Sequence, residues 1–237
     1  MKNQLLSISF SIALFTAHYT EKNNLTSPGK KAREEFLISN NAEVVYNELH
    51  LSQVGLSEKA FEQAYKGYQY LLKKQKLVTT SILSICDLSQ SSNKKRFYIL
   101  DLAENKILLT SYVAHGKGSG TEYAHRFSNR ANSHQSSLGF YITGSSYYGE
   151  HGLSLRLQGL EHGFNNLAGK RNIVIHGASY IGDDYLQENK YMGRSYGCPA
   201  VPQDECDTIV NLIKNGTCLF VYYPTKNYLK KSRILNG

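Results

Sequence analysis

The chain has 237 residues, enough for one sizeable core with a small appendage and too few for several ordinary domains. Its 41% hydrophobic and 19% charged content excludes a disordered chain, and the formal charge of +8 comes from short, dispersed clusters such as Lys94-Lys95-Arg96 and Lys230-Lys231. No basic helix or aromatic-interleaved nucleic-acid module stands out, so no nucleic-acid partner is expected; a surface of this sign suits attraction to an anionic polymer.

The N-terminus has the layout of an export signal. Lys2 precedes an apolar stretch from Leu5 to Ala17, which ends abruptly in polar sequence. That run has signal-peptide length and is too short to span a bilayer comfortably. A cut after Ala17 would place Phe15 where a small residue is preferred, so the cleavage point is left open. The leader is placed at residues 1–19, and the protein is expected in the periplasm or cell envelope, meeting the membrane only transiently during export.

Residues 20–79 read as a linker followed by an N-terminal helical segment. One helix fits within 31–50. A clearer one begins after Ser57, a plausible N-cap, with Glu58 in its first turn. Ala60, Phe61, Ala64, Tyr65, Tyr68, Leu71 and Leu72 follow at helical spacing and mark a packing face.

From residue 80 the period changes. Strands are predicted over 81–88, 97–102, 106–113, 138–143, 153–158, 172–175 and 217–223, with a hairpin turn at Ala103-Glu104-Asn105 and a helix over 202–214. Many short strands with Gly- and Ser-rich turns imply a mainly β fold, sandwich- or barrel-like, over 80–225, with 226–237 as a C-terminal tail. The Gly-rich stretch 115–137 lacks the spacing of a phosphate-binding loop and reads as a loop bordering a groove.

Two segments carry candidate chemistry. Ile173-Val174-Ile175-His176-Gly177 is a strand that ends in a histidine. Gly193-Arg194-Ser195-Tyr196-Gly197-Cys198-Pro199 is a small-residue turn that presents a cysteine. A thiol becomes a strong nucleophile as a thiolate, and an imidazole with nearby backbone N–H groups favours that form. The N–H groups of Gly197 and Cys198 are candidates for facing a developing oxyanion. These residue types alone leave open a structural cysteine and a merely hydrogen-bonded histidine. The other histidines, at 115, 125, 134, 151 and 162, form no metal-binding spacing and read as polar loop residues; no metal or cofactor is expected. Cys86, Cys206 and Cys218 read as buried small hydrophobes.

His176-Gly177 followed by Ser195-Tyr196-Gly197-Cys198 resembles the HG…S-H-G-C signature of L,D-transpeptidase catalytic domains, the YkuD-like fold. The resemblance runs through SSLGFYITG, HGLSLRLQGLE and GRSYGCPAVP and covers roughly residues 80–225. It implies acyl transfer on the peptide stems of peptidoglycan. Cys198 would attack the carbonyl of the third stem residue. His176 would take the thiol proton, and the Gly177 carbonyl would orient its imidazole. Gly197, Ser195, Arg194 and Tyr196 would line the oxyanion and substrate side. The sequence departs from the family pattern at Tyr196, usually His, and at Ala200, commonly Arg; Arg194 is offered as a substitute for holding a substrate carboxylate. The alternatives are an L,D-carboxypeptidase on the same stems and a wall-binding module with an idle cysteine. Sortase-like enzymes need an Arg soon after the cysteine, and none follows until Arg233; papain-like peptidases place Cys before His. The catalytic reading expects the imidazole within hydrogen-bonding reach of the thiol.

Overall fold

The computed structural model describes residues 41–237 together with Glu35 and Leu37. The expected signal segment, the linker and part of the first expected helix (31–34, 36 and 38–40) lie outside the described residues. Helix α1 (Ala42–Glu48) is followed by a single 3₁₀ turn (Leu51–Val54) and by helix α2 (Glu58–Lys73). The Ser57 hydroxyl accepts the Ala60 N–H at 3.1 Å, so the N-cap seen in the sequence starts α2. The apolar face of α2 is buried, including Gly67 among its larger neighbours.

The strands are β1 (Ile82–Asp87), β2 (Phe97–Asp101), β3 (Lys106–Ser111), β4 (Gly139–Gly149), β5 (Gly152–Gly159), β6 (Val174–Ala178), β7 (Ala200–Pro202) and β8 (Cys218–Tyr222). They form one sheet in the order β3-β2-β1-β8-β4-β5-β6-β7. Pairing is antiparallel except for β1 with β8 and β6 with β7. Beyond β3 the chain crosses to the far edge, where Ala114 N–H donates to the Ala200 carbonyl at 2.8 Å and Gly116 bridges Ser195. The sheet thereby curls into a near-barrel, and the mainly β expectation with a helical N-terminal segment holds.

Strands β1 and β8 are buried along their whole length because both faces are covered. Helix α2 packs against them, and Phe140 of β4 stacks on Phe220 of β8 with ring centroids 4.1 Å apart. The remaining helices are α3 (Asp183–Glu188), α4 (Cys206–Ile213), α5 (Lys226–Lys231) and α6 (Arg233–Asn236). Residues 226–237 bury Tyr228, Ile234 and Leu235. The buried Glu161 carboxylate collects the Phe140 N–H at 2.8 Å, the Tyr228 hydroxyl at 2.7 Å and the Ser232 hydroxyl, and so ties this end of the chain to the sheet.

Several boundaries differ from the sequence reading. Strand β4 runs six residues past Thr143, to Gly149, because its outer half is solvent-facing and carries no apolar alternation. Pro202, expected to open a helix over 202–214, instead ends a short edge strand, Ala200–Pro202, and the helix begins only at Cys206. A short helix, Asp183–Glu188, lies between the two candidate segments.

Candidate active site

Strand β6 brings in His176, which is 4% exposed. Its Nδ1 lies 2.9 Å from the carbonyl oxygen of Gly177. A carbonyl oxygen only accepts, so Nδ1 carries the proton and Nε2 is left with its lone pair. Burial pushes the imidazole pKa below the ordinary histidine value; the Gly177 carbonyl opposes this, and His151 adds to the lowering. His176 is therefore a neutral imidazole at neutral pH.

The parallel pairing of β6 with β7 sets Ala200 opposite His176. Cys198 lies two residues before Ala200. With a strand spacing of about 4.8 Å and a rise of about 3.3 Å per residue, the α-carbons of His176 and Cys198 are on the order of 8 Å apart. Cys198 is half-buried, and its thiol donates to the Asn172 carbonyl at 3.7 Å. Among the described residues no hydrogen bond joins the thiol to the imidazole, so the expected direct bond is not formed; the strand pairing sets the two residues on neighbouring segments. Burial raises the thiol pKa, while the Val174 N–H and the Arg171 guanidinium pull it back down.

The cysteine turn is built around Ser195. Its side chain is 3% exposed, donates to the Cys198 carbonyl at 2.6 Å and accepts the Gly197 N–H at 3.0 Å. This corrects two expectations. The Gly197 N–H is committed inside the turn, which leaves the Cys198 N–H as the turn's oxyanion candidate, and Ser195 holds the turn's shape from within. Gly197 has φ +129°, and a Cβ there would meet the Gln135 carbonyl at 2.9 Å, so this position requires glycine.

The loop 115–117 fastens the turn from outside. Ser195 N–H donates to the His115 carbonyl at 3.2 Å and Lys117 N–H to the Ser195 carbonyl at 2.8 Å. His115, expected as a polar loop residue, is fully buried. Burial and the neighbouring Arg96 hold its pKa down at about 3, and its Nδ1 accepts from Arg96 Nη2 at 2.9 Å. Tyr196 is 66% exposed, with Lys117 Nζ 3.9 Å from its ring centroid and the His134 ring 4.6 Å away. Arg194 is half-buried and donates from Nη1 to the Gly120 carbonyl at 3.0 Å.

The structure brings together Cys198, His176, Gly177, Gly197 and Ser195, with Tyr196 at the rim and Arg194 turned toward the 115–120 loop. Two neighbours escaped the sequence reading. His151, at the β4–β5 hairpin tip, stacks on His176 with ring centroids 4.5 Å apart. Arg171 lies behind the cysteine turn, and its Nη2 would be 3.2 Å from a Cβ on Gly197. The HGLSLRL segment pointed at the hairpin, but no local signal marks either contact. All four cysteines are free thiols, and among the described residues no three His, Cys, Asp or Glu side chains are grouped to hold a metal ion.

Among curated proteins, none matches this chain. Solved structures resemble it distantly. The LD transpeptidase LdtMt1, solved in complex with imipenem, shares 13% identity at a TM-score of 0.37. The match covers 60% of this chain and 59% of that one, so this chain spans about three fifths of that relative's length. An L,D-transpeptidase from Mycobacterium smegmatis gives 12% identity, a TM-score of 0.36 and the same two coverages. An L,D-transpeptidase from Stackebrandtia nassauensis gives 11% identity and a TM-score of 0.34 over 84% of this chain and 93% of its own. The decisive match is to the model of the L,D-transpeptidase catalytic domain over residues 52–222, a span that takes in α2, the whole sheet, His176 and Cys198. On that match, the chain belongs to the L,D-transpeptidase catalytic domain family.

Proposed function

We propose that this protein is a cysteine acyltransferase acting on the peptide stems of peptidoglycan by L,D-transpeptidation. The observation that carries the reading is the β6–β7 pairing. It sets a neutral, Gly177-tethered imidazole beside the cysteine turn. Family membership supports the reaction class.

In the proposed cycle, His176 Nε2 takes the proton of the Cys198 thiol as Sγ attacks the stem carbonyl carbon. The tetrahedral oxyanion accepts the Cys198 N–H. Collapse breaks the amide C–N bond, and the proton on His176 passes to the departing amine. A thioester remains on Cys198. An amine of a second stem then attacks it, His176 takes the amine's proton, and a new amide forms as the thiol is released with that proton. Water in place of the amine gives a trimmed stem. The Lys2–Ala17 segment supports a site of action in the cell envelope, reached by export.

The test is mass spectrometry of the purified protein with defined tetrapeptide stems. The expected results are a thioester on Cys198, its absence in Cys198→Ala and a severe slowing in His176→Ala. Cross-linked dimers identify transpeptidation and trimmed monomers identify carboxypeptidase action. Turnover that survives Cys198→Ala, or stem binding with no adduct at all, would overturn the proposal, the latter in favour of a wall-binding module.

A further inference from the structure

Arg171 sits immediately before Asn172, whose carbonyl touches the Cys198 thiol. Its guanidinium is caged by one loop. Nη1 donates to the Ser128 carbonyl at 2.7 Å and to the Ser137 hydroxyl, and Nη2 to the Gln135 carbonyl at 2.7 Å and the Ser133 hydroxyl at 3.3 Å. Every one of these acceptors is neutral. Among the described residues no carboxylate lies within ion-pair distance of Arg171. A half-buried guanidinium with no acidic partner leaves its full positive charge to act on its surroundings, and here those surroundings are the nucleophile turn. Its four Nη hydrogens are already engaged, so it has none of them free for a substrate carboxylate. What it projects into the site is charge.

We infer that Arg171 is a positioning residue that stabilises the thiolate of Cys198 electrostatically from behind the turn. This inference deepens the acyltransferase reading and rests on it for its catalytic meaning. When the thiol proton moves to His176, a half-buried sulfur anion and an imidazolium appear together. The imidazolium is mobile in role, because it must give its proton to the leaving amine. The guanidinium cannot lose its proton, so it offsets the sulfur's charge throughout attack and again when the thiolate is expelled from the product. Burial and this cation pull the thiol in opposite directions, which keeps a desolvated sulfur ionisable. Gly197 permits the arrangement, since a side chain at that position would crowd both Nη2 and the Gln135 carbonyl that holds it.

The experiment is the pH dependence of iodoacetamide alkylation. Cys86, Cys206 and Cys218 are at most 1% exposed, so Cys198 dominates the folded protein's reactivity. Loss of an adjacent opposite charge typically moves a pKa by about one unit or more, so Arg171→Gln should alkylate about tenfold more slowly below the pKa. Its plateau above the pKa should stay within about twofold. Arg171→Lys keeps the charge while losing the bonding fork, and should hold the wild-type profile even if it melts earlier. A structural role alone would predict the opposite grouping, with both variants altered in stability and neither in pKa. In the unmutated protein, the guanidinium nitrogen resonances of Arg171 should step at the pH where the thiol ionises, and the step should vanish in Cys198→Ala. A folded Arg171→Gln with an unshifted profile, or no step in the wild-type resonances, overturns the inference whether or not a variant fails to fold. Turnover that survives Cys198→Ala would instead sink the acyltransferase reading while leaving this titration intact.

Discussion

Gly67→Ala should destabilise the protein, although it places a better helix former in the middle of α2. In an exposed helix the exchange gains about 1 kcal/mol. Here a Cβ on Gly67 would fall 2.0 Å from Phe140 Cζ and 2.4 Å from Cε2. The ring cannot slide away, because it is fully buried and stacked on Phe220 at 4.1 Å with an interplanar angle of 14°. Overpacking of a rigid core costs about 1–3 kcal/mol and sometimes more, and a clash carried by helix backbone belongs at the upper end. Set against the propensity gain, the net loss is about 2 kcal/mol. For a chain of this size that corresponds to a fall in Tm of about 4–8 °C. The assay is a reversible thermal or urea melt of Gly67→Ala, Phe140→Leu and the double variant. The smaller leucine relieves the clash, so the double variant should lose at least about 1.5 kcal/mol less than the two single losses combined. A Gly67→Ala protein as stable as wild type would show that α2 is not pressed onto β4, and that the helical segment is an appendage to the sheet.

Three further outcomes follow from the site. Ser195→Ala removes both bonds that hold the cysteine turn, so it should cost about 1–3 kcal/mol in stability and lower the rate of acyl-enzyme formation at least tenfold, read by melting and by quenched-flow mass spectrometry; Ser195→Thr should recover much of both. Glu161→Ala strands the Phe140 N–H and the Tyr228 and Ser232 hydroxyls in the core, so it should lose about 3 kcal/mol in a urea titration while Cys198 alkylation in the remaining folded protein is unchanged. The pH profile of kcat/KM should keep its acidic limb below the ordinary histidine value. Burial and His151 both hold the His176 pKa down, and the base fails only once it is protonated below that pKa. His151→Phe keeps an aromatic cover and removes the neighbour that lowers the His176 pKa, so it should move that limb toward higher pH; a limb that moves lower, or stays put, refutes the assignment.

The mainly β class was legible because strands such as Phe97–Asp101 and Cys218–Tyr222 are short apolar runs between turn residues. Helix α2 was legible through one N-cap and one stripe. The pairing was not, because β1 and β8 are adjacent in the sheet while more than a hundred residues apart in the chain. The His176 and Cys198 segments stood out in the sequence as candidates, yet the expectation for the Gly197 N–H failed, since nothing in Ser-Tyr-Gly-Cys says that the serine hydroxyl folds back onto it. His151 and Arg171 stayed hidden for the same kind of reason. One reaches the site because β4 continues as a half-exposed ribbon with no apolar alternation. The other depends on a cage of carbonyls supplied by a loop some forty residues upstream.

Desolvation acts on both partners of the proposed pair in the direction of neutrality, raising the thiol and lowering the imidazole. A site built this way keeps its proton on sulfur at rest and is a poor target for adventitious alkylation or oxidation, which require thiolate. Its reactivity must then come from groups that favour the ion pair as it forms: the Cys198 N–H on the oxyanion, the Gly177 carbonyl on Nδ1, and the uncompensated charge of Arg171 behind the sulfur. None of these groups has to move, since each is backbone or is held by backbone. In the proposed cycle, the cost of charge separation would thus be lowered by dipoles and a cation oriented during folding, before any substrate arrives.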